Sequence, residues 1–131
     1  MRKRKPNRGR IVARFDKVFS EYVRRKDADH RGMVQCYTCG VVKHWKEVDA
    51  GHFQTRAKYS TRWDCNNVKP QCKGCNMTNG GQQYVFGRML DHHHGEGFAD
   101  EIVKKSNQIR KWSSSEMEAE ILRLRELIKQ L

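Results

Sequence analysis

Cys36 and Cys39 form one C-x2-C pair, Cys72 and Cys75 form another, and Cys65 stands apart from both. Zinc favours soft thiolates in a tetrahedron, and each such turn supplies two sulfurs from one tight bend. Four thiolates close the coordination sphere and leave no place for substrate, so the expected ion is a structural Zn2+. No opening segment reads as a signal peptide, so a disulfide framework is not expected, because cytosolic thiols stay reduced. Cys65 lacks a partner at knuckle spacing and reads as a small buried apolar residue.

The residues around the second pair carry a further pattern. They run Asn67-Val68-Lys69-Pro70-Gln71-Cys72-Lys73-Gly74-Cys75-Asn76, with Gly51-His52-Phe53 upstream. N-x4-C-x2-C followed at once by Asn resembles the second half of the HNH nuclease motif in its zinc-bearing form. GHF resembles the strand that ends the first half in a histidine. The stretches FDKVFSEYVRRKDADHRG, CYTCG, HWKEVDAGHF, TRWDCNNV and QCKGCN, with the GG that follows, resemble the phage lambda NinG (Rap) family of recombination endonucleases over roughly residues 15 to 90.

That resemblance implies a chemistry. His52 would be the general base, since a neutral imidazole can take a proton from water near pH 7. Asn67 would orient the imidazole, and Asn76 would offer an amide oxygen to a hard catalytic ion, Mg2+ or Mn2+. The products would be 5′-phosphate and 3′-hydroxyl ends, and the zinc knot would fix the distance between His52 and Asn76. Many HNH sites place Asp just before the base, where this chain has Gly51. Asp49 shares that strand face two residues back and is the first choice for the missing carboxylate, with Asp64 the second. The implied substrate is branched DNA, such as Holliday junctions or D-loops, for which a C2 homodimer would place two cuts.

The elements that must position these residues follow from periodicity. From Ile11 to about Lys26, Val12, Phe15, Val18, Phe19, Tyr22 and Val23 recur at helical steps, predicting an amphipathic helix on the zinc module; DADHRG breaks it. Met33 to Phe53 reads as short strands around the first cysteine pair, presenting His52 near their end. Residues 54 to 66 read as a basic loop in which Arg56, Lys58 and Arg62 are the DNA-binding candidates. Trp63 either stacks on a splayed base or packs beneath that loop. A second helix is expected to begin near Cys72 and Cys75.

Beyond Gly80-Gly81, Tyr84, Phe86, Met89 and Leu90 outline another helix, and His92, His93 and His94 read as a polar loop that ends it. His30 and His44 read as having folding roles. Phe98, Ile102, Val103, Ile109 and Trp112 outline a further helix. Ser113 and Glu116 make a capping box for the last one. There Met117, Ile121, Leu124, Ile128 and Leu131 form a coiled-coil seam, open to either dimerisation or packing on the first helix.

The expected fold class is therefore α+β: an HNH (ββα-metal, treble-clef-like) zinc-stabilised core with flanking helices and a C-terminal amphipathic helix. The expected division is a basic mobile arm over 1–10, a nuclease core over 11–95 and a helical extension over 96–131. The 131 residues carry a formal charge of +12, so a polyanion is the natural partner. The expected location is the cytoplasm, with no membrane span. Two other functions fit the same features: a non-catalytic zinc-ribbon module that only binds nucleic acid, and an HNH nuclease indifferent to DNA structure.

Overall fold

The first helix, α1 (Arg8–Arg25), starts where the Asn7 side chain accepts the Arg10 amide at 2.9 Å, in a computed structural model that describes residues 7–131. Arg8 to Arg10 thus belong to a capped helical turn and not to an arm, while residues 1–6 of the expected arm lie outside the described residues. The apolar period could not show this start, because a cap is polar. The buried stripe of α1 is Ile11, Phe15, Phe19 and Val23, spaced at four residues.

Two antiparallel hairpins follow. Strand β1 (Met33–Gln35) pairs with β2 (Val42–His44), and a 3-10 turn (Trp45–Glu47), capped by the His44 ring, leads into β3 (Val48–His52). β3 pairs with β4 (Val68–Cys72), in a register that sets Val48 opposite Cys72 and His52 opposite Val68. The connection between β3 and β4 is the basic loop. After Cys72 the chain makes a single wide helical turn (Gly74–Thr78) and then breaks, with positive φ at Gly80, Gly81 and Gln82 (63°, 84° and 51°). The helix expected near Cys72 and Cys75 thus begins there but lasts one turn, since the two glycines favour left-handed backbone over continued helix, and the separate helix expected beyond them is α2 (Gln83–His94).

The triple histidine is the last turn of α2 and not a loop: His93 Nδ1 lies 3.0 Å from the Tyr37 hydroxyl, and His94 stacks on Phe98. Gly95, at φ 107°, ends the helix. Next, α3 (Phe98–Ser106) stops well short of Trp112, leaving Ile109 exposed on a connector. Trp112 does not extend the helix because it is drawn edge-on against Phe15 and Trp63. The last helix, α4 (Ser114–Lys129), carries the expected Ser113–Glu116 capping box.

Met117, Ile121 and Leu124 of α4 join Ile11, Phe15, Phe19 and Val23 of α1 and Val68 of β4 in one core. Met117, Ile121 and Leu124 of the C-terminal seam thus pack within the chain, while Ile128 is half-buried and Leu131 exposed, so α4 contributes to the central core. α1 meets the zinc module through the β3–β4 hairpin, whose second strand ends in Cys72, and packs most extensively on α4. Ile121 is fully buried, so Ile121→Ala is expected to destabilise the chain by about 2–5 kcal/mol in urea denaturation. Among the described residues no helix is long and apolar enough to cross a membrane.

Candidate functional site

The cysteines come together because each pair sits at the end of a hairpin strand. Cys36 follows β1 in a turn closed by Gly40 N–H to the Cys36 carbonyl at 3.0 Å, with Gly40 at φ 81°. Cys72 ends β4, and the Cys75 amide donates to Cys72 Sγ at 3.4 Å. The four Sγ atoms all lie within 4.8 Å of one another, with Cys39 and Cys72 at 3.7 Å. A tetrahedron with Zn–S bonds of about 2.3 Å sets its sulfurs roughly 3.8 Å apart, so this cluster could hold zinc. Burial pushes the Cys36 thiol up, but main-chain bonds from Cys72 and Cys39 and the Thr38 side chain outweigh it, bringing the group down to about 6. Against the Thr38 hydroxyl, burial and the neighbouring sulfurs push the Cys75 thiol up to about 12, so without a metal the cluster favours one thiolate among thiols, and a bound metal would displace the remaining protons. Cys65 is half-buried beside the main core, and burial raises its thiol.

A cleft of about 700 Å³ opens between α1, β3 and the turn that carries Cys75. His52, Asp49 and Asn76 all line it. Asp49 and His52 are three residues apart on a strand and so project to opposite faces, which means the cleft wraps the edge of β3 that β4 does not cover. Asp49 Oδ1 accepts from Lys73 Nζ at 2.8 Å and Oδ2 from Asn76 Nδ2 at 3.1 Å. Burial raises the Asp49 carboxyl, but these two bonds and the charges of Lys73 and Arg24 hold it below its ordinary range.

His52 Nε2 lies 2.9 Å from the Arg62 carbonyl. A carbonyl only accepts, so Nε2 carries the proton and Nδ1 keeps the lone pair. Burial holds the His52 pKa below its usual value, against the raising effect of the Arg62 carbonyl; Arg56 lowers it further, while the Ala50 carbonyl and Asp16 raise it. The ring is therefore neutral near pH 7.

The family model described as Bacteriophage Lambda NinG protein matches residues 1–131, the whole chain. The chain belongs to the NinG family. Among curated relatives it is 27% identical to Protein ninG of Salmonella phage P22 over 109 residues, which is 82% of this chain and 51% of that protein. Protein ninG of Escherichia phage lambda is 27% identical over 109 residues, 82% of this chain and 50% of its own length. Its counterpart in Escherichia phage 933W is 28% identical over 109 residues, 82% of this chain and 51% of its own. The chain thus spans about half the length of the curated relatives it matches, and no solved structure matches it.

In this NinG-family chain the other expected site residues fall differently. Asn67 is fully buried and does not bond the imidazole; its side chain takes the Gln54 amide at 2.7 Å and donates to the Gln54 and Thr61 carbonyls, both at 3.0 Å. It shapes the loop, and the contact to the ring is made by the Arg62 carbonyl. The Arg62 guanidinium is committed to Asp16 and the Arg56 carbonyl, so it is not free for phosphate. Lys58 is exposed but bonds Asn107, away from the cleft, and Arg56 alone of the three loop cations lines it. Trp63 packs beneath the loop, flat on Phe15 at 3.9 Å. Asp64 pairs with Lys105 at 2.6 Å and lies outside the cleft.

Arg24, Lys46 and Lys73 line the cleft and are not among the site residues expected from the sequence. Arg24 sits on what reads as the solvated face of a helix, and Lys46 on a short turn. Lys73 carried a usable signal, since it lies between the two cysteines that lead into Asn76. Gly51 has a steric reason: a Cβ there would lie 1.8 Å from Gln71 Oε1. The Gln71 side chain is buried and tied by Nε2 to the Thr38 hydroxyl at 3.1 Å and the Gly81 carbonyl at 2.9 Å. Restoring the usual carboxylate with Gly51→Asp is therefore expected to destabilise the fold by about 1–3 kcal/mol in urea titration, without adding a metal ligand.

Proposed function

We propose that this chain is a metal-dependent DNA endonuclease of HNH type, built as a ββα unit on a treble-clef zinc knot, with His52 as general base. The carrying observation is that His52, Asp49 and Asn76 line one cleft together with the cations Arg24, Lys46, Arg56 and Lys73. A binding module needs the cations, but has no need of a neutral imidazole pinned in one tautomer beside a carboxylate and an amide.

The residues divide the task. Lys46 and Arg56 draw the phosphodiester backbone into the cleft, and Arg24, bonded to the Ser20 and Trp45 carbonyls, adds positive charge at its wall. His52 Nδ1 takes a proton from the attacking water while Nε2–H stays on the Arg62 carbonyl, so the ring does not turn as it becomes charged. Asp49 and Asn76 would hold a hard divalent cation such as Mg2+ or Mn2+ through a carboxylate and an amide oxygen, with the Asn76 amide turned from the Nδ2–H it gives Asp49 and with Lys73 adding positive charge at the same carboxylate. When bound, that ion would supply charge neutralisation at the scissile phosphate and at the departing 3′ oxygen. The four cysteines with zinc act as rigid support, tying the end of β4 to the turn that holds Asn76.

Branched recombination intermediates, Holliday junctions or D-loops, are the substrate class suggested by the resemblance. The test is incubation of labelled linear, forked and four-way DNA with Mg2+, Mn2+ or EDTA. Cleavage with either ion, none with EDTA and a preference for branches is expected. Binding without cleavage under every condition would leave the non-catalytic zinc module, and equal cutting of all three DNAs the structure-independent nuclease.

A further inference from the structure

The turn that holds His52 is itself held from α1. Arg62 offers its carbonyl to His52 Nε2, so the position of the Arg62 main chain sets the angle of the ring. The guanidinium of the same residue forms a two-point fork on Asp16, in the middle of α1: Nε to Oδ1 at 3.0 Å and Nη2 to Oδ2 at 2.6 Å. Asp16 Oδ1 also accepts the Trp63 indole N–H at 2.9 Å. A fork fixes direction as well as distance, and this one is mostly shielded, with side chains 14% and 24% exposed. One carboxylate therefore holds the residue that touches the base and the residue after it. Of the acids on α1, Asp16 is the one that lines the cleft.

We infer that Asp16 is a positioning residue for the general base, acting through Arg62 to fix the carbonyl that keeps the His52 proton on Nε2 and leaves Nδ1 free for water. The inference rests on the nuclease reading of His52 and makes α1 part of the reaction machinery as well as a core helix. It also gives the partly buried Asp16–Arg62 pair a role beyond stability. The charged groups facing the ring are Asp16 from α1 and Arg56 from the loop.

The test joins a spectroscopic readout to kinetics. In the zinc-loaded full chain without Mg2+ or Mn2+, an Nε2–H bonded to a carbonyl exchanges slowly and gives a ring N–H resonance in 15N NMR. Asp16→Ala is expected to abolish that resonance and to lower kcat by about 10²-fold, the scale of a 1 Å misplacement, with DNA affinity in EDTA nearly unchanged. Its acid limb is expected to move to lower pH, because the carbonyl contact and the Asp16 charge both favour the protonated ring. Asp16→Asn keeps one acceptor for Trp63 but breaks the fork, and should weaken the resonance and shift the limb the same way. If the alanine variant does not fold, the asparagine variant decides the matter.

An unchanged resonance and acid limb, with only a lowered Tm, would overturn the inference and leave Asp16 a structural residue. Should the wild-type chain cut no DNA, the nuclease reading fails on its own, while the resonance still reports whether Asp16 fixes His52.

Discussion

Replacing His52 with alanine is expected to lower metal-dependent DNA cleavage by about 10²–10⁴-fold, while DNA binding in EDTA and zinc content stay close to wild type. The loss follows from removing the neutral nitrogen base of the cleft. Binding should survive because the phosphate contacts are proposed for Lys46 and Arg56, which line the cleft independently of the ring. Zinc survives because His52 sits at the far end of β3 from the strand position paired with Cys72. Cutting at the wild-type rate would remove the proposed base outright.

The pH profile supplies a second readout of the same residue. The base works only when neutral, so activity rises with pH through the pKa of His52 in the folded chain. Burial and the Arg56 charge hold that pKa below the ordinary imidazole value of about 6.5, so the acid limb should lie below pH 6.5 and activity should persist into mildly acid solution. The shift has a stability consequence of the same sign. A depressed folded-state pKa means that the unfolded chain binds the proton more readily, so the contribution is present above about 6.5 and is lost as pH falls. His52→Ala should flatten both dependences.

What was legible in the sequence is what short spacing or apolar period encodes. The cysteine pairs, the buried stripe of α1 and the Ser113–Glu116 cap each depend on residues a few positions apart, and each is found in the fold. Asp49 was reachable by strand alternation, and it does meet Asn76. What stayed hidden depends on contacts between distant segments. Arg62 reads as a loop cation, and only the placement of α1 against the loop turns it into the partner of Asp16. Asn67 reads as a group that orients the ring, yet the β3–β4 register buries it under the loop and gives its hydrogen bonds to Gln54 and Thr61. The seam of α4 has the same spacing whether it meets a second chain or α1, and the core shows that Met117, Ile121 and Leu124 meet α1.

Breaking the four-cysteine cluster should have the largest effect on the fold, and it separates a structural zinc from the proposed catalytic ion. Cys72 is the point of greatest leverage, because it ends β4, lies 3.7 Å from Cys39 Sγ and accepts the Cys75 amide at 3.4 Å. Structural zinc commonly contributes about 10–16 kcal/mol of apparent binding energy, more than the stability of most small domains. Cys72→Ser is therefore expected to lose stoichiometric zinc and to lower Tm by roughly 10 °C or more. The α1–α4 packing rests on apolar contacts and Val68, so much of the helical circular dichroism should remain while the β1–β2 knuckle and the Gly74–Thr78 turn melt. Asn76 lies in that turn, so cleavage should be lost with it. A mild chelator that removes only Mg2+ or Mn2+ should instead stop cleavage reversibly and leave Tm unchanged. A Cys72→Ser chain with full zinc and wild-type Tm would show that the four sulfurs do not act as one site, and the support assigned to Asn76 would have to come from the Asp49 and Gln71 contacts alone.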